Sequence, residues 1–307
     1  MIAGASWLWW LGFHAAVALL LAADSLLPGH RSPARPAGSP ITEDGAPRSD
    51  EVWAWIGTGF FVLAAAGFAL WIALTQGRQP ALEFAAGYTI ETSLSIDNLF
   101  VFLVLFQGFQ ISPQRQHTAL LWGVWCAVVL RALFISAGVT LLARFQWINW
   151  LFGLFLLYAA WRLFRGGSAR AAIPEWIRRL QPARGSLLPV ILAVEFTDVV
   201  FATDSIPAVL AVTHNPFVAY TSNIAAILGL RSLYFALAAM LDRFRSIHYG
   251  LGALLTFVAL KMLLARWFEI PIVPSLAIIG GILAAFALIS LWQKGREQGA
   301  RETGTRE

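Results

Sequence analysis

Nine times along this chain the sequence runs apolar for about the length that crosses a lipid bilayer. The runs lie near residues 3–23, 52–75, 82–107, 118–142, 148–165, 187–212, 217–240, 248–267 and 273–293. A helix needs about 20 residues to span the hydrocarbon layer. Backbone groups in lipid find no water, so each span has to satisfy its own hydrogen bonds, as a helix does. Only 13% of the 307 residues are charged and 58% are hydrophobic, whereas typical soluble domains carry about 25% charge. That leaves too little polar sequence to coat a water-soluble fold. The expected fold class is therefore an all-α polytopic membrane protein, with residues 1–293 as one transmembrane domain and 294–307 as a polar tail.

The basic residues set the expected orientation. Fifteen Lys and Arg fall in the loops after spans 1, 3, 5 and 7 and in the tail, while the other side holds only Arg78, Arg144 and Arg266. Cytoplasmic loops collect positive charge, so the amino terminus is expected outside and the carboxyl terminus in the cytoplasm. The first run, SWLWWLGFHAAVALLLAAD, has no basic region ahead of it and reads as a retained helix rather than a cleaved signal. The net charge of +5 belongs to these loops, so no nucleic-acid partner is expected. The stretch 30–51, rich in Pro, Gly and Ser, reads as a loop. AIPEWIRRL (172–180) reads as a short amphipathic helix at the membrane surface.

Against that apolar background stand two acidic stretches, IETSLSIDN (90–98) and TDVVFATDS (197–205). They place Glu91, Asp97, Asp198 and Asp204 inside membrane-spanning runs, and Glu195 lies just ahead of the second. A carboxylate at the centre of a spanning helix costs at least ~2.5–3.5 kcal/mol. One reading pairs each acid with Arg131 or Arg231 in a buried salt bridge. Two basic groups do not neutralise five acids, however, and a cation is the natural missing partner. Lys261 and Arg162 either join the acids or snorkel to an interface.

The acids also repeat. In one unit acid-x5-acid is followed by VVLRALF and LLYAAWRLF; in the other it is followed by LGLRSLYF and FVALKMLL. Arg131 thus aligns with Arg231, and Arg162 with Lys261. Each unit holds three spans, about 82–165 and 187–267, so two copies would enter the membrane from opposite sides. Inverted repeats of this kind place the sites of many secondary transporters near the bilayer midplane.

Helical spacing sets directions. At about 100° per residue, Glu91 and Asn98 share a face, as do Asp198 and Ser205. Asp97 and Asp204 point elsewhere, so either the helices break or these acids face another helix. Pro207 offers a break in span 6; Ser93, Ser95 and Asn98 offer one in span 3. Glu195 and Asp198 are placed to act together. The available ligands are all oxygen, from the carboxylates and from Asn98, Asn223, Ser205, Thr197, Thr203 and Ser222. The five histidines and the single Cys126 lie outside the acidic core, and one cysteine forms no intramolecular disulfide. Oxygen-only sites suit Mg²⁺, Ca²⁺ or Mn²⁺. If one ion bridges both repeats, a carboxylate of span 3 should lie within about 8 Å of one in span 6, with up to five carboxylates converging.

EFAAGYTIETSLSIDNLFVF, QHTALLWGVWCAVVLRALFI, AVEFTDVVFATDSIPAVLAVT and TSNIAAILGLRSLYF together resemble the signature segments of the TerC/Alx family, bacterial integral membrane proteins first named for tellurium resistance. The resemblance covers roughly residues 1–293. It implies a bacterial inner-membrane protein that exports metal ions, manganese in particular, with no permanently bound cofactor. It also implies that Glu91, Asp97, Glu195, Asp198 and Asp204 are the family's acids, with Asp24 matching an acid at the end of its first helix. Thr203 stands where the family more often has an aliphatic residue.

Protons are a candidate counter-ion for such an exporter. Two other readings of the buried acids stay open at this point. One is an intramembrane enzyme, although the YD and GxGD pairing of membrane aspartyl proteases is absent. The other is a cation channel or a stress-resistance scaffold, neither of which needs a duplicated acidic motif in two orientations.

Overall fold

The computed structural model describes residues 7–26, 49–137, 147–165, 187–241 and 247–289, apart from 266, 269, 272 and 287. Among these residues there are nine helices and no strand. They are α1 (Trp7–Leu26), α2 (Ser49–Thr75), α3 (Arg78–Gly108), α4 (Pro113–Ala137), α5 (Trp147–Phe164), α6 (Leu188–Val212), α7 (Pro216–Leu241) and α8 (Ile247–Leu264), followed by α9 (Val273–Phe286). Each apolar run has its helix. The chain is an all-α polytopic membrane protein. Most of loop 30–51, the 172–180 stretch, the Arg144 loop, the tail from Lys294 and the side chain of Asp24 lie outside the described residues.

Four helices are both long and apolar enough to cross a membrane: Val52–Thr75, Arg78–Gly108, Pro113–Ser136 and Pro216–Leu241. α6 is also long, at 25 residues, but Glu195, Asp198 and Asp204 interrupt its apolar character. α4 starts at Pro113 rather than 118 because its first turn is the polar PQRQH. Proline at the start of a helix forfeits only an N–H that would be unpaired anyway, and hydropathy does not register a polar first turn.

Local signals fix the turns. Gly77, at φ +101°, ends α2, and its N–H donates to Ile72 O at 3.2 Å. A side chain there would be strained. α3 ends with Gln110 in the left-handed region and Ile111 N–H donating to Phe106 O at 2.9 Å, a Schellman-type closure. Asn215 caps α7, its Oδ1 accepting the Phe217 N–H at 3.0 Å, with Pro216 as the first helical residue.

α3 is the central column. It packs on α2, α6 and α7, and more lightly on α8. Its stretch Leu99–Phe106 is buried on every side, as expected of a helix that is apolar all round. α4 packs on α6 and α7, and α5 on α8. Small residues permit close approaches: a Cβ on Gly87 would lie 2.6 Å from Ser222 Oγ, and one on Gly57 2.7 Å from Ser232 Oγ. Neither α3 nor α6 breaks. α6 runs through Pro207, whose cost is confined to one backbone bond, a loss that spanning helices tolerate. α3 is helical across Ser93–Asn98. Of the two alternatives the second holds: Asp97 and Asp204 face other helices, where Lys261 and Asn149 meet them.

Candidate functional site

The centre of the bundle is polar and buried. Arg131, in α4, is 1% exposed and Glu91, in α3, is 0% exposed. Arg131 Nη2 lies 2.8 Å from Glu91 Oε1 and 3.4 Å from Asp198 Oδ1 of α6. Nη1 donates to Asn223 Oδ1 at 2.5 Å and to Ser205 Oγ at 3.1 Å. Asn223, in α7, closes the circuit by donating from Nδ2 to Glu91 Oε2 at 3.0 Å. Ser95 Oγ donates to Glu91 Oε1 at 3.3 Å. Four helices therefore converge on one guanidinium. Its planar fork suits this role, because each edge offers donors at fixed angles.

Helix periodicity explains the assembly. Asp198 and Ser205, two turns apart on α6, both face Arg131, as their spacing predicts. Glu91 and Asp198 approach the same nitrogen, so they are no farther apart than those two contacts laid end to end. That separation is inside the reach expected for one ion bridging spans 3 and 6. Two carboxylates against one guanidinium leave a surplus negative charge in a region where charge is expensive.

Other predicted residues are placed elsewhere. Asp97 Oδ2 accepts from Lys261 Nζ of α8 at 2.6 Å, and the same ammonium donates to Ser275 Oγ of α9 at 3.0 Å. Lys261 therefore does not snorkel to an interface; it reaches inward. Asp97 Oδ1 and the neighbouring Asn98 Oδ1 are buried without a hydrogen-bond partner. Glu195 and Arg231 share with Asp198 a cavity of about 40 Å³, large enough for water. A Cβ on Gly123 would lie 3.1 Å from Glu195 Oε1, and Glu195 Oε2 is buried without a hydrogen-bond partner. Asp204 Oδ1 accepts from Asn149 Nδ2 of α5 at 3.1 Å. Thr197 turns its hydroxyl to Ala193 O of its own helix, at 2.8 Å, and contributes nothing to the centre.

The five carboxylates therefore do not converge on one point. Among the described residues, no three His, Cys, Asp or Glu side chains gather as a ready-made metal cage. Glu91 and Asp198 meet at the centre, Glu195 lines a cavity with Asp198, and Asp97 and Asp204 occupy separate positions around it. Asn149 and Ser275 were not legible as site residues. Each is a lone polar residue in an apolar run, and only the packing of α5 on α6 and of α9 near α8 gives it a role.

Comparison with known proteins follows the same lines. Residues 76–298 match the family described as the integral membrane protein TerC family. A Salmonella typhi protein named putative membrane-bound redox modulator Alx is 37% identical over 310 residues, covering 92% of this chain and 94% of its own. Its namesake in Escherichia coli (strain K12) is 36% identical over 319 residues, covering 95% and 97%. The chloroplastic thylakoid membrane protein TERC of Arabidopsis thaliana is 34% identical over 257 residues, covering 76% and 67%. No solved structure matches the chain.

Proposed function

The chain belongs to the TerC family of integral membrane proteins, and on that premise we propose that it exports a hard divalent cation, Mn²⁺ first among them, in exchange for protons. The observation that carries this reading is the buried meeting of Glu91 and Asp198 on one Arg131 nitrogen. Here the guanidinium is a tethered cation standing where a mobile one would bind. A dication competes with it for two carboxylates, with Asn223 and Ser205 as further oxygen donors. It brings twice the charge to a pair of acids that Arg131 only half neutralises. The ion is the substrate, and the chain acts as a carrier rather than an enzyme.

The remaining acids extend the path. Asp97 lies six residues from Glu91 along α3, and Asp204 six residues from Asp198 along α6, about 9 Å of helix rise each. With the amino terminus outside, these displacements run in opposite directions, toward the cytoplasm for Asp97 and outward for Asp204. That is the arrangement inverted repeats give a shared central site. Helix packing supports the repeat. Exchanging α3–α5 with α6–α8 maps the pairs α3·α6 and α5·α8 onto themselves and α3·α7 onto α4·α6, and all four are packed pairs.

The relatives named redox modulators raise a thiol-based alternative. This chain has one cysteine, Cys126, and an intramolecular dithiol couple needs two. Metal-ion traffic is therefore the better reading. In proteoliposomes, Mn²⁺ and proton fluxes measured together test it. Glu91→Gln and Asp198→Asn should each abolish both fluxes in protein that is still inserted.

A further inference from the structure

The Arg131 centre divides the bundle into two unlike halves. α3 and α6 run antiparallel through it, and the Arg78 end of α3 meets the Val212 end of α6, where Thr213 Oγ1 donates to Glu83 Oε2 at 2.6 Å. Toward the Gly108 end of α3 the centre adjoins the cavity of about 40 Å³, room for a water-sized particle. The lining falls on that side of the centre in each helix. Leu99 and Phe102 follow Glu91 in α3, Gly123 and Ala127 precede Arg131 in α4, and Ile227 and Arg231 follow Asn223 in α7.

Toward the Arg78 end the bundle is closed. Glu83, Gly87 and Glu91 stand four residues apart, on one face of α3, and each meets α7 or the end of α6. Gly87 has no side chain, and a Cβ there would lie 2.6 Å from Ser222 Oγ and 3.4 Å from Val209 Cγ1. α3 therefore lies directly against both helices. Ser222, Val209 and Thr213 are all buried. The Thr213 hydroxyl, besides donating to Glu83, accepts the Asn215 N–H at 3.2 Å, so it ties the turn between α6 and α7 to α3. Gln79 Nε2 holds the other Glu83 oxygen at 3.1 Å.

The register that pairs Glu91 with Asp198 and Asp97 with Asp204 also pairs Gly87 with Val194 and Val209 with Phe102. Val194 and Phe102 line the cavity. Equivalent positions thus form a closed seam in one half and a cavity wall in the other. A carrier built from two repeats around one fixed site has that asymmetry in each of its two states. We propose that the seam of Gly87 against Ser222 and Val209 is the gate between the centre and the Arg78 end, and that the Glu83–Thr213 hydrogen bond is its latch. The inference rests on the export reading, under which, with the amino terminus outside, this is the exit gate. An ion at the centre leaves when the seam parts.

Thiol accessibility tests the gate. In the full-length chain carrying Cys126→Ser, a single reporter is introduced as Val209→Cys, behind the seam, or as Ala127→Cys, in the cavity. Oriented proteoliposomes are exposed to Ag⁺, a thiol-seeking ion small enough for the cavity, on one face at a time. The thiols it has protected are then counted by maleimide labelling in detergent. From the Arg78 side Val209→Cys should react slowly, whereas Ala127→Cys should react from the opposite side. Thr213→Val keeps the side-chain shape and loses the donor. It should speed the Val209→Cys reaction roughly tenfold or more, the weight of one hydrogen bond to a carboxylate, and Thr213→Ser should not. Glu83→Ala should match Thr213→Val, and the two together should add nothing further, because they remove one shared contact. Ala127→Cys should react no faster in any of these variants. A Val209→Cys reaction indifferent to Thr213→Val overturns the gate, and so does acceleration of both reporters together, which marks a general loosening. Mn²⁺ flux in the same vesicles separates the two readings. Flux with an indifferent latch overturns the gate alone, and a responsive latch without Mn²⁺ flux overturns the export reading alone.

Discussion

Replacing Arg131 by glutamine removes the tethered cation from between Glu91 and Asp198 while keeping a side chain of similar length. At 2.8 and 3.4 Å and an effective dielectric near 20, each charge contact is worth about 5–6 kcal/mol of attraction. Desolvation offsets most of that. Removing one partner of a buried ion pair costs about 3–5 kcal/mol net, because the remaining charges are left buried and uncompensated. For a chain of this size that cost lowers the melting temperature on the order of 10 °C. If Arg131 stands where a substrate cation binds, Mn²⁺ should repair the loss. A ligand at a hundred times its dissociation constant returns about 2.7 kcal/mol, so saturating Mn²⁺ should recover more than half of the deficit. The assay is thermal unfolding of purified Arg131→Gln and wild-type protein with and without Mn²⁺. The wild type, already holding its guanidinium, should gain less. Equal Mn²⁺ shifts in the two proteins, or an Arg131→Gln protein as stable as the wild type without metal, would refute the tethered-cation argument.

The outlying ion pair and the orientation give two further tests. Lys261→Ala leaves Asp97 buried opposite an empty space, and it should destabilise the protein by a few kcal/mol; adding Asp97→Asn should restore most of that loss, as read from the same melts. A tag at the carboxyl terminus should be cytoplasmic, and one between Arg144 and Trp150 external. Cysteine-accessibility labelling that finds both on one side would contradict the odd span count and the inverted repeat with it.

Apolar run length placed the spans because lipid imposes a single requirement on every crossing segment, and α3, α6 and α7 begin and end within a few residues of the runs that predict them. Helical spacing also foretold that Asp198 and Ser205 share a face, which is a property of one helix alone. The partner across that face is a property of two. Lys261 meets Asp97 over 164 residues of sequence, and Asn149 meets Asp204 over 55; both pairings depend on how helices tilt and rotate against each other. The convergence of five acids failed for the same reason. An acid's direction on its own helix is fixed by its number, but Asp97 and Asp204 point away from the faces that meet at Arg131, and neighbouring helices supplied other partners there. Asn223 was legible as an oxygen ligand because it lies in the TSNIAAILGLRSLYF segment, and its place against Arg131 and Glu91 follows from the close packing of α3 on α7 that Gly87 permits.

The most direct measurement is simultaneous Mn²⁺ uptake and internal pH in proteoliposomes containing the purified protein, oriented by protease protection. The account predicts Mn²⁺ movement coupled to opposite proton movement in the wild type, with both lost in Glu91→Gln and Asp198→Asn. Mn²⁺ movement that continues unchanged in those two variants, or a wild type that moves no Mn²⁺ at all, would contradict it.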